Sequence, residues 1–162
     1  MEAKNQETTG NNILIAAGIF LGLGLNGFID GILLHQILQW HHVISNVKPL
    51  NNFPNIDLNM AWDGLFHVLD WIFTVIGIIL LWQAGGRKDV IWSAQTFSGA
   101  IFLGAGLFNL VEGVIDHHLL VLHHVKMGQN QLVWDLGFLG LGLILVILGW
   151  VMIQRSKIVV NH

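Results

Sequence analysis

The chain has 162 residues, of which 54% are hydrophobic and only 10% are charged, with a formal net charge of −3. Its mean hydropathy of +0.65 is far above that of an ordinary soluble domain. The negative charge argues against nucleic acid as a partner, and the lack of cysteine excludes disulfides, thiolate zinc sites and iron–sulfur clusters. We therefore expect a membrane protein in which any metal ion is held by nitrogen and oxygen atoms.

Four segments contain no Asp, Glu, Lys or Arg, and each is close to the roughly 20 residues that a helix needs to cross a bilayer. They are residues 13–29, 71–86, 90–111 and 136–154. None offers the polar outer face that a soluble helical bundle requires. The sequence thus predicts an all-α fold, an integral membrane four-helix bundle. We expect a polar N-terminal tail (1–12), one transmembrane domain (13–154) and a short C-terminal tail (155–162).

The two halves of the chain resemble each other. Residues 22–43 return as residues 104–125, so that the acid and the histidines of the first copy have counterparts in the second. The matched groups are Asp30 with Glu112, His35 with His117, and His41-His42 with His123-His124. Trp62-Asp63 and Trp134-Asp135, which follow the two copies in the chain, form a further matched pair. We interpret the bundle as two tandem two-helix repeats, residues 13–84 and 92–154.

Basic residues predict the orientation in the membrane. Five of them flank one side of the predicted spans, namely Lys4, Arg87, Lys88, Arg155 and Lys157. Only Lys48 and Lys126 lie on the other side. By the positive-inside rule both termini are cytoplasmic, and the His-rich ends of the first and third helices face outward from the bacterial inner or plasma membrane.

Polar residues inside or beside these apolar segments are costly, and their repetition predicts a functional site. His35 and His42 are seven positions apart, which would place them on one face of a continuous first helix, and His117 and His124 repeat the spacing. On the second helix an Asp, a His and an Asp follow at spacings of four and three. We predict eight metal ligands in the outer half of the bundle: His35, His42, Asp63, His67, Asp70, His117, His124 and Asp135.

Asp30 and Glu112 lie deeper, each five positions before a histidine. We assign them a catalytic role, as proton-relay groups or as carboxylates that orient the imidazoles; direct metal ligation and structural pairing stay open. His41 and His123 are either site residues or solvated residues at the rim. Imidazole and carboxylate ligands suit copper, zinc, iron or manganese without selecting one of them.

Several motifs are similar to those of a known family. The runs GFIDGILLHQILQWHH, WDGLFH, LFNLVEGVIDHHLLVLHH and WDLGF resemble the bacterial four-helix membrane proteins grouped as domain of unknown function 2243 (DUF2243). The resemblance extends from about residue 18 to residue 149. It implies the membrane topology and assigns no catalytic residues.

The favoured function is metal-dependent redox or related chemistry at a non-haem site, so an oxidoreductase is one interpretation, although no substrate is identified. The alternatives are metal transport, a metal chaperone for a respiratory enzyme, and an accessory structural subunit. Another alternative is a b-type cytochrome with His35 and His117 as axial haem ligands. The expected partners are the lipid bilayer and either a second copy of the chain or a respiratory enzyme.

Overall fold

The computed structural model describes the backbone of residues 2–160 and the side chains of residues 11–156. All regular structure in this part of the chain is helical. The four α-helices are α1 (Glu2–Ile29), α2 (Phe53–Gly85), α3 (Ala94–Glu112) and α4 (Gln131–Val160). Two π-helical segments extend the odd helices: π1 (Asp30–Ile37) after α1 and π2 (Gly113–Leu119) after α3. The predicted all-α four-helix fold is confirmed.

The helix ends differ from the boundaries expected from the sequence. α1 begins at Glu2, within the segment treated as a polar tail, and α4 continues through Val160. Residues 1, 161 and 162 of the predicted tails lie outside the described residues. The division into a transmembrane domain and two tails stays a prediction.

All four helices are long and apolar enough to cross a bilayer. The candidate spans are Asn11–Ile37, Phe53–Gly85, Ala94–Leu119 and Gln131–Ser156, with mean hydropathies between 1.6 and 2.6. Large apolar side chains cover much of the outer surface; Trp82, for example, is 84% exposed. An exposed apolar surface of this extent is stable only against lipid. The molecule is therefore a four-helix membrane bundle.

The two odd helices form the centre of the bundle. α1 packs against α3, α2 packs on α1, and α4 packs on α3. At the α1–α3 crossing, a Cβ atom on Gly22 would collide with the carbonyl of Ile101, and a Cβ atom on Gly104 would collide with the carbonyl of Ile19. Glycine lets the backbones approach this closely, as is typical of helix contacts in membranes.

The odd helices end where the sequence predicts that they continue. α1 with π1 stops at Ile37, and the chain turns through Gln39, whose φ of 50° is left-handed. Val121, with a φ of 49°, marks the corresponding turn after π2. The prediction that His42 and His124 lie on the helical faces of His35 and His117 is therefore wrong. Both lie in loops that fold back onto the bundle.

Candidate metal centre

The π-helical geometry brings together residues that an α-helix would separate. In an α-helix, side chains five positions apart point about 140° away from each other. A π-helix bonds residue i to residue i+5, so side chains at this spacing lie near one another. In π1, Asp30 and His35 consequently share a face, and Asp30 Oδ2 lies 3.1 Å from His35 Nε2. π-helical segments are frequent at functional sites. Glu112 and His117 have the same five-residue spacing at the start of π2.

The returning loops place His41 and His123 inside the bundle. The Nδ1–H of His41 donates to the carbonyl of Val125 at 2.8 Å, and the Nδ1–H of His123 donates to the carbonyl of Val43 at 3.0 Å. The two rings stack at 4.4 Å with their planes 4° apart. They are only 2% and 1% exposed, respectively, so the interpretation as solvated rim residues is wrong.

Burial also determines the charge of these two rings. It lowers the pKa of His41 far below its usual range, and it lowers the pKa of His123 from 6.5 to about 4. Both imidazoles are consequently neutral at pH 7. A neutral imidazole whose Nδ1 carries the proton presents a lone pair on Nε2, which is the form that binds a metal ion.

Six buried side chains converge at the junction of π1, π2 and the loops: Asp30, His35, His41, Glu112, His117 and His123. We call this set the central cluster. The Nε2 of His41 lies 3.8 Å from Asp30 Oδ2, and the Nε2 of His123 lies 3.6 Å from Glu112 Oε1. The Nε2 atoms of His117 and His123 are 3.1 Å apart.

Within the central cluster, two overlapping groups of three have all their ligand atoms within 4.8 Å of one another. One is Asp30, His35 and His41, and the other is His41, Glu112 and His123. Each group combines two imidazoles with one carboxylate. That combination is a common ligand set for a transition metal ion.

Asp63 and Asp135 support the central cluster from α2 and α4. Asp63 accepts hydrogen bonds from the Nδ1 of His42 at 2.5 Å and from the backbone N–H of Val43 at 3.0 Å. Its Oδ1 also lies 3.2 Å from the Nδ1 of His35. These contacts connect a helix carboxylate both to the returning loop and to an imidazole of the cluster.

The second half repeats the arrangement. Asp135 accepts from the Nδ1 of His124 at 2.7 Å and from the N–H of Val125 at 2.9 Å, and its Oδ1 lies 3.7 Å from the Nδ1 of His117. Carboxylates in this position orient imidazoles and set their tautomers.

Several atoms of the central cluster are buried without a hydrogen-bond partner. They are Asp30 Oδ2, His35 Nδ1 and Nε2, His41 Nε2, Glu112 Oε2 and His117 Nδ1. Buried polar atoms are nearly always paired in folded proteins, because an unpaired one costs about 1–3 kcal/mol. Their concentration in one place marks this cluster as a candidate site for a bound ion.

His67 and Asp70 lie apart from this convergence. As predicted, they share one face of α2 with Asp63. Asp63 meets His35 of π1, while His67 lies over Gly31 of π1 and Asp70 lies over Gly27 of α1. His67 Nδ1 is 3.4 Å from Asp70 Oδ2. The groups of mutually close ligand atoms include neither residue.

The structure thus brings the eight predicted ligands to different places. His35 and His117 are in the central cluster, the pairs His42–Asp63 and His124–Asp135 form its supporting layer, and His67–Asp70 is separate. Asp30 and Glu112, predicted as relay or orienting groups, lie among the imidazoles instead.

His41 and His123 are not among the ligands predicted from the sequence, although they lie at the centre of the cluster. The sequence signal for them was the repeated His-His pair. Which member of the pair turns inward depends on the left-handed turns at Gln39 and Val121, which the residue pattern does not reveal.

Comparison with known proteins places the chain in a family. The family model described as predicted membrane protein (DUF2243) matches residues 17–156, which include the central cluster, the first span from residue 17 onward and the other three spans in full. No curated protein and no solved structure matches the chain. Because the family model covers most of the chain, the protein belongs to the DUF2243 family of predicted membrane proteins.

Proposed function

We propose that the protein is an integral membrane metalloprotein whose central cluster holds two adjacent transition metal ions and carries out redox chemistry. One ion is assigned to Asp30, His35 and His41, and the other to Glu112, His117 and His123. The imidazoles of His41 and His123 lie between the two positions. Asp63 and Asp135 orient the ligands from outside.

The contact between His117 and His123 carries the proposal. His123 must donate from Nδ1, since its partner there is a backbone carbonyl, so its Nε2 presents a lone pair. If His117 donates from Nε2 to that lone pair, its own Nδ1 lone pair faces the carboxylate of Asp135. If its Nδ1 is protonated instead, two lone pairs face each other at 3.1 Å. A metal ion between them removes the conflict in either case.

The distances support a first-row metal. Four ligands at the usual 2.0–2.2 Å from an ion lie about 3.3–3.6 Å from one another in a tetrahedral arrangement. Three separations in the cluster lie within about 0.2 Å of this range: 3.1 Å between Asp30 and His35, 3.8 Å between Asp30 and His41, and 3.6 Å between Glu112 and His123. The side chains are therefore spaced as ligands before any rearrangement.

The ligand type favours redox chemistry. Two imidazoles and one carboxylate, repeated twice, are the set used by non-haem iron sites, which leaves positions open for a substrate or oxygen. Iron or manganese fits this ligand set better than copper alone, and zinc would support no redox step. Glu112 and Asp30 each retain a second carboxylate oxygen that can accept a proton.

The alternatives fit the geometry less well. Transport needs exchangeable ligands along a path, whereas the six side chains are buried together, which favours a resident ion. Haem would have to lie between His35 and His117, but other imidazoles fill that space. The ring centroid of His41 lies 4.4 Å from that of His35, and the ring centroid of His123 lies 4.7 Å from that of His117. A purely structural network would align its buried polar atoms in hydrogen bonds. Six atoms here lack that alignment, although several lie 3.1–3.8 Å from an oppositely charged or ionisable neighbour.

Elemental analysis tests the proposal. Protein purified in mild detergent, without chelator or immobilised metal, is expected to contain about two ions per chain and to show no Soret band. His41→Ala should lose metal, while His118→Ala should keep it, because His118 is exposed and only caps the carbonyl of Gly113. Metal-free protein after iron and manganese reconstitution, or equal metal content in the two variants, contradicts the proposal.

A further inference from the structure

A second polar group, His67 and Asp70 of α2, lies outside the central cluster, in the groove that α2 forms with α1 and π1. The side chain of Asp70 is 1% exposed and that of His67 is 26% exposed. Asp70 Oδ2 and His67 Nδ1 are both buried without a hydrogen-bond partner, 3.4 Å apart. A buried carboxylate facing one imidazole nitrogen favours the proton on that nitrogen. The lone pair is then on Nε2, which lies beside Gly31 and is not among the fully buried atoms without a hydrogen-bond partner.

The surface of α1 is shaped to accommodate this pair. A Cβ atom on Gly27 would collide with the carboxylate of Asp70, and one on Gly31 would collide with the His67 ring. Phe28 lies parallel to that ring, with centroids 5.7 Å apart and planes 19° apart. Gly31 directly follows Asp30 of the central cluster, so the groove and the cluster adjoin.

The equivalent groove of the other half is apolar. Leu139 takes the place of His67 and packs over Gly113, and Gly142 takes the place of Asp70 against Asn109. The bundle therefore builds the same helix contact without an ionisable pair. His67 and Asp70 are not needed for the packing, which points to a ligand on this side alone.

The environment of His67 restricts what that ligand is. Its neighbours Leu65, Val68 and Leu69 are 59%, 52% and 47% exposed, and these surfaces face lipid. Tryptophan is enriched at the membrane–water interface, and His67 is five residues inward from Trp62 on α2, about 7.5 Å along the helix. His67 therefore lies beneath the headgroup level. A molecule that reaches Nε2 must come through the hydrocarbon, which excludes phospholipid headgroups and water-soluble substrates.

We propose that the His67–Asp70 groove binds the headgroup of a lipid-soluble hydroquinone. Its hydroxyl donates to Nε2 of His67, which satisfies a lone pair that would otherwise face hydrocarbon at a cost. The flat ring of the headgroup suits a site lined by the parallel rings of Phe28 and His67. A simple hydroxylated lipid would share the hydrogen bond but would not use this aromatic surface.

Oxidation of the bound hydroquinone rests on the redox function proposed for the central cluster. Oxidation of one hydroquinone to quinone releases two electrons and two protons. Two oxidised metal ions held by the residues of the central cluster would each accept one of these electrons. His67 takes the proton of one hydroxyl through Nε2, and the proton of the other hydroxyl passes to the adjoining carboxylates, while both oxygens stay on the ring as quinone carbonyls.

Binding to the full chain in phospholipid nanodiscs tests the site. The probe is a short-tailed hydroquinone, followed by quenching of tryptophan fluorescence, with a photoreactive azidoquinone to locate the labelled residues. We expect saturable binding, label on α1 and α2 near Phe28 and His67, and at least about tenfold weaker binding in His67→Leu and Asp70→Asn. The matched control, Leu139→Met in the apolar groove, should bind like the wild type.

The outcomes separate the two proposals. If His67→Leu binds the hydroquinone as the wild type does, if the label lies elsewhere, or if a long-chain alcohol competes equally well, the hydroquinone site is wrong. His67→Gln keeps a polar side chain at this position and so controls for misfolding as the cause of a loss of hydroquinone binding. Metal content is measured in the same preparations: hydroquinone binding without stoichiometric metal supports the groove and contradicts the metal centre.

Discussion

His41 and His123 stack face to face, with ring centroids 4.4 Å apart and planes 4° apart, although 82 residues separate them in the chain. Each ring donates from Nδ1 to the carbonyl of a valine in the opposite loop, Val125 or Val43. The two loops are thereby locked together by a reciprocal pair of hydrogen bonds. The Nε2 of His41 faces Asp30 of π1, and the Nε2 of His123 faces Glu112, the last residue of α3.

The first prediction distinguishes the central cluster from the ligand set expected from the sequence. His123→Ala should lose at least half of the bound metal, because it removes an imidazole from the middle of the cluster. His67→Leu should retain all of it, since His67 lies in a separate groove. Elemental analysis of the two purified variants decides the question. Loss of metal from His67→Leu but not from His123→Ala would instead support the ligand set predicted from the sequence, which includes His67.

The second prediction concerns the supporting carboxylates. Asp63→Asn keeps the shape of the side chain but weakens its contacts with the imidazoles of His35 and His42. Loss of such an orienting group typically lowers metal affinity about 10–100-fold. Competition with a chelator of known affinity gives the constant for wild type and variant. An unchanged constant would show that Asp63 only anchors the loop.

Asp135→Asn is the matched variant in the second half. Its contacts with His117 and His124 are longer, at 3.7 and 2.7 Å, than the corresponding contacts of Asp63. We expect a loss of affinity in the same direction and of smaller size. A loss larger than that of Asp63→Asn would mean that the half containing α3 and α4 holds the more tightly bound ion.

The third prediction is a pH dependence of the metal-free protein. The pKa of His123 falls from 6.5 to about 4 on burial, so below pH 6.5 the unfolded chain binds a proton that the folded protein does not. Stability therefore decreases as the pH is lowered from 6.5 to 4 and levels off below, by up to about 3 kcal/mol for this residue. His41, with its pKa lowered in the same direction, adds to the effect.

Thermal unfolding in detergent, followed by circular dichroism between pH 7.5 and 4, measures this dependence. His123→Gln removes the titrating ring, and its melting temperature should fall less over the same range. Equal slopes in the wild type and the variant would contradict the assignment of the acid sensitivity to this imidazole.

The fourth prediction addresses the crossing of α1 and α3. Gly22→Val places a side chain against the carbonyl of Ile101, so the helices must separate and the central cluster must distort. Overpacking of this kind costs about 1–3 kcal/mol. We expect a lower melting temperature and less bound metal. Gly64→Val is the control, because nothing lies within 4 Å of the added Cβ there.

The fifth prediction tests the orientation. The basic residues that flank the spans predict that both termini are cytoplasmic. An alkaline phosphatase reporter inserted in the 43–52 loop should be active outside the cytoplasm, and one fused after residue 157 should be inactive. The reverse pattern would place the central cluster at the cytoplasmic end.

The secondary structure and the membrane class depend on local properties that the sequence displays. Four charge-free apolar segments are enough to predict four spans, because the cost of burying charge in hydrocarbon acts on each residue separately. The common face of Asp63, His67 and Asp70 also followed from α-helical spacing, since α2 is a regular helix across all three.

The composition of the site depended on the tertiary structure. Spacing rules assume an α-helix, and the chain adopts a π-helix at Asp30 and Gly113 and then turns back at Gln39 and Val121. These deviations align residues five apart and bring His41 and His123 inward, where carbonyls of the opposite loop hold them. The sequence by itself determined which residue types are available within the bilayer and that they occur twice. Only the packing of α1 against α3 decided which of them meet, because the contacts that orient each imidazole come from the other half of the chain.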